Sequence, residues 1–274
     1  MNNSQIPFLP VSELSQLIKA REISPVELTK AYLDRIAEID PQLGSYITVD
    51  RDGAMKAAHQ AERAIDEGRY LGDMHGIPVA VKDQIYTRDI RTTNGSKLLK
   101  DFKPEYDATV ITRLKNAGSV LLGKLNMAEF ALGGRMEHPY GVARNPWDLD
   151  FEPGISSSGS GSATAGFLCA TSLGEDTSGS LRFPSSWSGL VGLRPTWGRV
   201  SRYGLLPVNW SLDAIGPMSR TVEDCAITLT AISGYDHNDP YTRDLPVPDY
   251  RQSLTGDISR LKIGIVIEST HDQL

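Results

Sequence analysis

The order of apolar runs along the chain indicates an α/β fold, a β-sheet with helices on its faces. Helical periodicity fills the first third of the sequence. Short β-branched runs bounded by turn formers then recur at 76–83, 120–122 and 261–267, and a helical segment separates the first two. Strands that alternate with helices are the pattern of chains whose helices bury an apolar stripe against a sheet.

The first elements are helical. Ser24-Pro25-Val26-Glu27 is a capping box with proline at the first helical position. Leu28, Tyr32, Ile36 and Ile39 then share one helical face, and Pro41 is expected to end the helix. An alanine-rich helix follows over about 52–67 and stops before Gly68. Residues 1–70 thus read as an N-terminal helical segment packing on a core, 71–274, that belongs to the same domain.

Gly76-Ile77-Pro78-Val79-Ala80-Val81-Lys82-Asp83 reads as a buried strand. Asp107 to Ala117 reads as a helix with Gly118 just past its end, and Val120-Leu121-Leu122 as the next strand. Leu261 to Ile267 is a third. The glycine- and serine-rich stretch at 154–165 runs straight into apolar residues, so it reads as an ordered loop entering a helix. Neither an internal repeat nor a long low-complexity linker stands out.

Bulk properties narrow the function. The 274 residues suffice for a sizeable core. The net charge of -6, with no basic tract, argues against a direct nucleic-acid partner or an anionic membrane surface. The start, MNNSQIPFLPVSEL, lacks the pattern of a signal peptide, and no apolar run approaches the roughly 20 residues of a membrane span. Two cysteines, Cys169 and Cys225, form no disulfide framework and suit a reducing, cytoplasmic setting. The histidines (His59, His75, His138, His237, His271) are scattered and form no metal-binding pair, so neither a metal nor another cofactor is expected.

Three familiar motifs fail in the serine-rich stretch. Gly154 and Gly159 have P-loop spacing, but Ser160 stands where lysine is needed. Gly159 and Gly161 begin a dinucleotide fingerprint that Thr164 breaks. No serine has the G-x-S-x-G context of a nucleophile elbow. A serine hydroxyl needs a base. Nothing in the sequence favours a histidine, and the next candidate is a desolvated lysine. Lys82 follows the apolar run Val79-Ala80-Val81, where burial disfavours the ammonium form. The same residue can instead snorkel to solvent or pair with Asp83. The pattern alone leaves both readings open.

Several segments in order resemble the amidase signature family: GIPVAVKD (76–83), GKLNMAEF (123–130), NPWDL (145–149), GISSSGSGSATA (154–165) and GEDTSGSLRFP (174–184). GLVGLRPTWGRVSRYGLLP and LDAIGPMSRTVEDCA further on are similar to it too. The resemblance covers nearly the whole chain and implies a mixed β-sheet core flanked by helices. It implies a Ser-cisSer-Lys triad with Ser180 as nucleophile, Ser156 as bridging serine on a cis peptide bond, and Lys82 as base. Backbone amides of Thr177, Ser178, Gly179 and Ser180 are then the expected oxyanion hole. Ser157 and Ser158 are expected to steady the loops, and Asp176 with Arg182 to brace the nucleophile loop as an ion pair. An alternative has Arg182 touching a substrate carboxylate. Asn126 and Glu129 match a family motif and read as scaffold.

Two positions depart from the usual pattern: Ile155 stands where a small residue is usual, and Ser178 where glycine is usual. The chain is also shorter than the family domain and reads as truncated at its C-terminal side. The leading expectation is a serine amidohydrolase acting on a small-molecule carboxamide or a related C–N bond such as a carbamate. The alternatives are the glutaminase component of a tRNA-dependent amidotransferase, which resembles the same family, and a non-catalytic truncated homologue. A homodimer or a partner subunit is left open.

Overall fold

The computed structural model describes residues 5–132, 138–262 and 264. Helix α1 (Val11–Lys19) is followed by α2 (Pro25–Leu43), whose capping box is complete: Glu27 N–H donates to Ser24 Oγ at 3.1 Å and Ser24 N–H donates to Glu27 Oε2 at 3.0 Å. Contrary to the sequence expectation, α2 runs through Pro41. Proline in the last turn forfeits one amide bond, and the helix closes at Gly44, whose φ of +60° suits glycine and whose N–H donates to Asp40 O at 2.7 Å.

Strand β1 (Tyr46–Val49) comes next, then α3 (Arg51–Asp66), within a residue of its expected limits. The 1–70 segment therefore contributes a strand as well as helices. Four residues, three of them half-buried, carry no clean alternation by which sequence could reveal it. Then follow β2 (Pro78–Lys82), α4 (Thr109–Asn116), β3 (Val120–Leu125), α5 (Ser158–Ala165), β4 (Thr171–Asp176), α6 (Arg182–Trp187), β5 (Val191–Gly192), β6 (Ala214–Ser219) and α7 (Val222–Ile232). The expected strand at 261–267 falls largely outside the described residues; Leu261 and Lys262 are not in a strand.

The α/β expectation holds. One six-stranded sheet has the order β1-β3-β2-β4-β6-β5. Its centre, β3-β2-β4, is parallel; β1, β6 and β5 join antiparallel, so the sheet is mixed. Every residue of β2 and of β4 is buried, as expected for parallel strands covered on both faces. From β2 the chain moves to β3 on one side, and from β4 to β6 on the other. Loops leaving adjacent strands in opposite directions open a crevice at their carboxyl ends, the usual ligand position in such sheets. Lys82 ends β2 and Asp176 ends β4.

Helix α5 explains the serine-rich composition. All eight of its residues are buried. A Cβ on Gly159 would stand 2.3 Å from Asn126 N and 2.4 Å from Ser45 O, so the helix can approach the end of β3 only with glycine there. The hydroxyls point into neighbouring backbone: Ser160 Oγ donates to Leu173 O at 3.2 Å, and Ser162 Oγ donates to Arg144 O at 2.6 Å. Small side chains thus allow close packing while satisfying buried polar groups.

Candidate active site

The parallel centre brings Lys82 and Ser156 together. Lys82 Nζ lies 2.8 Å from Ser156 Oγ, and both residues are wholly buried. Val79 and Val81 anchor the strand that carries the lysine, so its stem is fixed by packing. The Ile155–Ser156 peptide bond is cis. The preceding Gly154 has φ +104°, and a Cβ there would meet Pro184 Cα at 2.7 Å, so the loop lies close against α6.

Lys82 also faces a residue that the sequence pattern does not single out. Glu175, wholly buried near the end of β4, accepts from Lys82 Nζ through Oε2 at 2.9 Å and through its backbone oxygen at 3.4 Å. Neither alternative for Lys82 is realised: it does not reach solvent, and Asp83 instead lies beside Lys124, at 3.8 Å. Glu175 has a usable signal, a charged residue at the end of a buried strand, which is the argument that singles out Lys82.

Ser180 is half-buried, with its carbonyl accepting from Ser157 N–H at 3.1 Å. Ser157 Oγ donates to Glu175 O at 3.1 Å, so Ser157 ties the loop before α5 to β4 and to the Ser180 backbone. Ser180 Oγ makes no hydrogen bond among the described residues, so the geometry joins Lys82 to Ser156 but leaves the Ser156–Ser180 hydroxyl contact unmade.

The loop 177–180 hangs on Asp176. Its carboxylate, inaccessible to solvent, accepts from Gly179 N–H at 2.7 Å, from Arg182 Nε at 2.9 Å and from Arg182 Nη2 at 3.1 Å. Arg194 adds a contact at 3.3 Å. Burial pushes this carboxyl up, but hydrogen bonds from Arg182 and Gly179 outweigh it and hold it below the usual range. Of the four amides expected to face an oxyanion, that of Gly179 is therefore already engaged. Those of Ser178 and Ser180 have no acceptor among the described residues. Asn126 Nδ2 donates to Gly44 O and Gly141 O, each at 2.9 Å, bracing loops rather than facing the crevice.

A second buried pair lies one strand away. Burial drives the Lys124 ammonium down to about 8 and the Asp83 carboxyl up, so for both groups desolvation outweighs attraction across 3.8 Å. A lysine depressed in the folded state makes stability rise with pH between its folded and unfolded values. Between pH 8 and 9 the protein is expected to gain about 1 kcal/mol relative to Lys124→Met. Urea melts at the two pH values check it; parallel slopes would remove Lys124 as the cause.

No cluster of metal-ligating residues is found among the described residues, and none of their helices is long and apolar enough to cross a membrane.

A mixed sheet with a buried lysine–serine pair at the carboxyl ends of its parallel strands, under a glycine–serine loop, defines the class of protein. The chain belongs to the amidase family, whose profile matches residues 27–274. It is 48% identical over 258 residues to a glutamyl-tRNA(Gln) amidotransferase subunit of Geobacter metallireducens, covering 94% of this chain and 53% of that one. Among solved structures it is similar to the native peptide amidase of Stenotrophomonas maltophilia, with a TM-score of 0.85 at 40% identity, covering 89% of this chain and 52% of that one. It is also similar to the corresponding glutamyl-tRNA(Gln) amidotransferase subunit of Thermotoga maritima, with a TM-score of 0.76 at 37% identity, covering 88% of this chain and 50% of that one. The chain spans about half the length of the relatives it matches.

Proposed function

We propose that this protein is a serine amidohydrolase that cleaves a carboxamide or a related C–N bond, such as a carbamate, through an acyl-enzyme. The observation that carries the reading is the buried 2.8 Å contact between Lys82 Nζ and Ser156 Oγ, beside the loop that bears Ser180. Ser180 Oγ attacks the carbonyl carbon and gives its proton to Ser156 as Ser156 gives its own to the Lys82 lone pair. The C–O bond forms, and the amide oxygen takes the charge against the Ser178 and Ser180 amides. As the C–N bond breaks, the proton returns through Ser156 to the leaving nitrogen. Water then repeats the sequence on the ester and frees Ser180.

Turnover of a panel of small amides, peptide amides and carbamates tests the reading. Ser180→Ala is expected to abolish every activity the protein has towards them, and full retention in that variant would refute it.

A second reading is favoured by the 48% identity to an amidotransferase subunit. There the acyl donor is glutamine, and the ammonia released passes to a partner subunit. Glutaminase activity that appears only when partner subunits are added would favour it over a free-standing amidase.

A further inference from the structure

The carboxylate against Lys82 raises a difficulty, because a base must have a lone pair and an ion-paired ammonium has none. The hydrogen-bond chain beyond Glu175 resolves it. Thr177 Oγ1 lies 2.7 Å from Glu175 Oε1 and 2.7 Å from Asp213 Oδ1. A hydroxyl has one proton and can donate to only one of two carboxylates. The other contact needs a proton from the carboxyl side, since two anions around one hydroxyl proton would leave a bare oxygen–oxygen repulsion.

Asp213 is the poorer candidate for that proton. Both its oxygens already accept backbone amides: Oδ2 from Val208 N–H at 2.9 Å and from Asn209 N–H at 3.0 Å, and Oδ1 from Asn209 N–H at 3.0 Å. Amide donors favour the carboxylate. Glu175 Oε1 has no donor other than Thr177 among the described residues. A proton on Glu175 Oε1 satisfies each atom. Glu175 donates to Thr177 Oγ1, and Thr177 donates to Asp213. Lys82 then keeps two N–H bonds for Glu175 Oε2 and Glu175 O, and a lone pair for the Ser156 hydroxyl. Three contacts match the two donors and one acceptor of a neutral amine.

We propose that Glu175 is held as a neutral carboxylic acid by the Thr177–Asp213 hydrogen-bond chain, so that Lys82 stands as a free amine against Ser156. Glu175, Thr177 and Asp213 are positioning residues that set where the proton rests before reaction. The inference rests on the hydrolytic reading for its purpose but not for its geometry. Proton balance is kept: the proton an ion pair would leave on Lys82 sits on Glu175, and the net charge of the pair is unchanged. Other charged groups packed around the chain are engaged elsewhere. Asp176, next to Glu175 on β4, is held by Arg182 and Arg194, and Asp83, just past Lys82 at the end of β2, lies beside Lys124.

Infrared difference spectroscopy of the intact protein tests the proton directly, with no need for turnover. In the wild-type minus Glu175→Gln difference spectrum, where any band from Asp83 cancels, the carbonyl band of a buried neutral carboxylic acid is expected at neutral pH, and the same band is expected to be missing from Asp213→Asn. No such difference band, or one that persists in Asp213→Asn, would overturn the proposal. Ser180 labelling by a fluorophosphonate supplies the second readout. Asp213→Asn is expected to slow labelling at neutral pH by about 10²-fold, the loss of a general base, and raising the pH is expected to restore it. Adding Glu175→Gln to Asp213→Asn is expected to restore labelling at neutral pH, because the carboxylate that would hold Lys82 as an ammonium is gone. A purely structural role for Asp213 predicts no such rescue, and that result would also overturn the proposal. A band without any labelling would leave the proton assignment standing and count against the hydrolytic function.

Discussion

Treated with a fluorophosphonate, the protein is expected to acquire one adduct, on Ser180, and Lys82→Ala is expected to slow its formation about 10²–10⁴-fold, the usual worth of a positioned general base. Peptide mapping locates the adduct and intact mass gives its rate. The prediction depends on a single contact, Lys82 Nζ to Ser156 Oγ at 2.8 Å. Lys82→Ala also empties space in a packed strand and removes the donor to Glu175, changes that together cost about 2–5 kcal/mol of stability. A cooperative melt of the variant is therefore a necessary control. Ser156→Ala separates the two effects, because it interrupts the relay while removing a single oxygen. If both variants melt cooperatively and label at the wild-type rate, the relay is refuted. An adduct on another serine would refute Ser180 as nucleophile.

Much of the fold and part of the site are legible in the sequence, for identifiable reasons. β2 and the capping box of α2 announce themselves through local chemistry: a β-branched run between turn formers, and a serine three residues before a glutamate. β1 does not, because four residues at a sheet edge carry too little alternation to be seen. Pro41 misleads because the bond it forfeits and any bend it makes affect only the two helical residues that follow it, Gln42 and Leu43. At the proposed site, Ser156 and Ser180 are legible through resemblance to a family and Lys82 also through its apolar strand; Glu175 offers only the signal of a charge at a strand end, and Asp213 offers none. Glu175 matters through residues distant in sequence, one on β2 and one just before β6, and only the sheet order brings these together. The serines of α5 show the converse. They draw attention by number, yet Ser160 and Ser162 are bonded to backbone and serve packing.

Asp176→Ala is expected to lower stability by about 3–5 kcal/mol, the cost of leaving a buried charge network without its centre, and the melting temperature by on the order of 10 °C. The upper end is discounted because Arg182 is 55% exposed and solvent screens it. What remains comes from buried amides: Gly179 N–H at 2.7 Å, and Leu181 N–H and Arg182 N–H at 3.3 Å each, all of which lose their acceptor. Asp176→Asn distinguishes charge from hydrogen bonding. A carboxyl held below its usual value of 3.8 in the folded state gives stability that is full above that value and is lost as pH falls through the folded value. The wild-type advantage over Asp176→Asn is therefore expected to be constant above about pH 5 and to shrink below about pH 4. Thermal melts across this range check it, and an advantage that persists undiminished into acid would mean that Asp176 contributes by shape alone. The same substitution loosens the turn that carries Ser178 and Ser180, so the variant should also label more slowly at temperatures where it is fully folded. Stability and reactivity are then expected to be coupled for a structural reason: one carboxylate at the end of β4 holds the backbone of the turn that bears Ser180, the proposed nucleophile, and with it the amides proposed to receive the oxyanion.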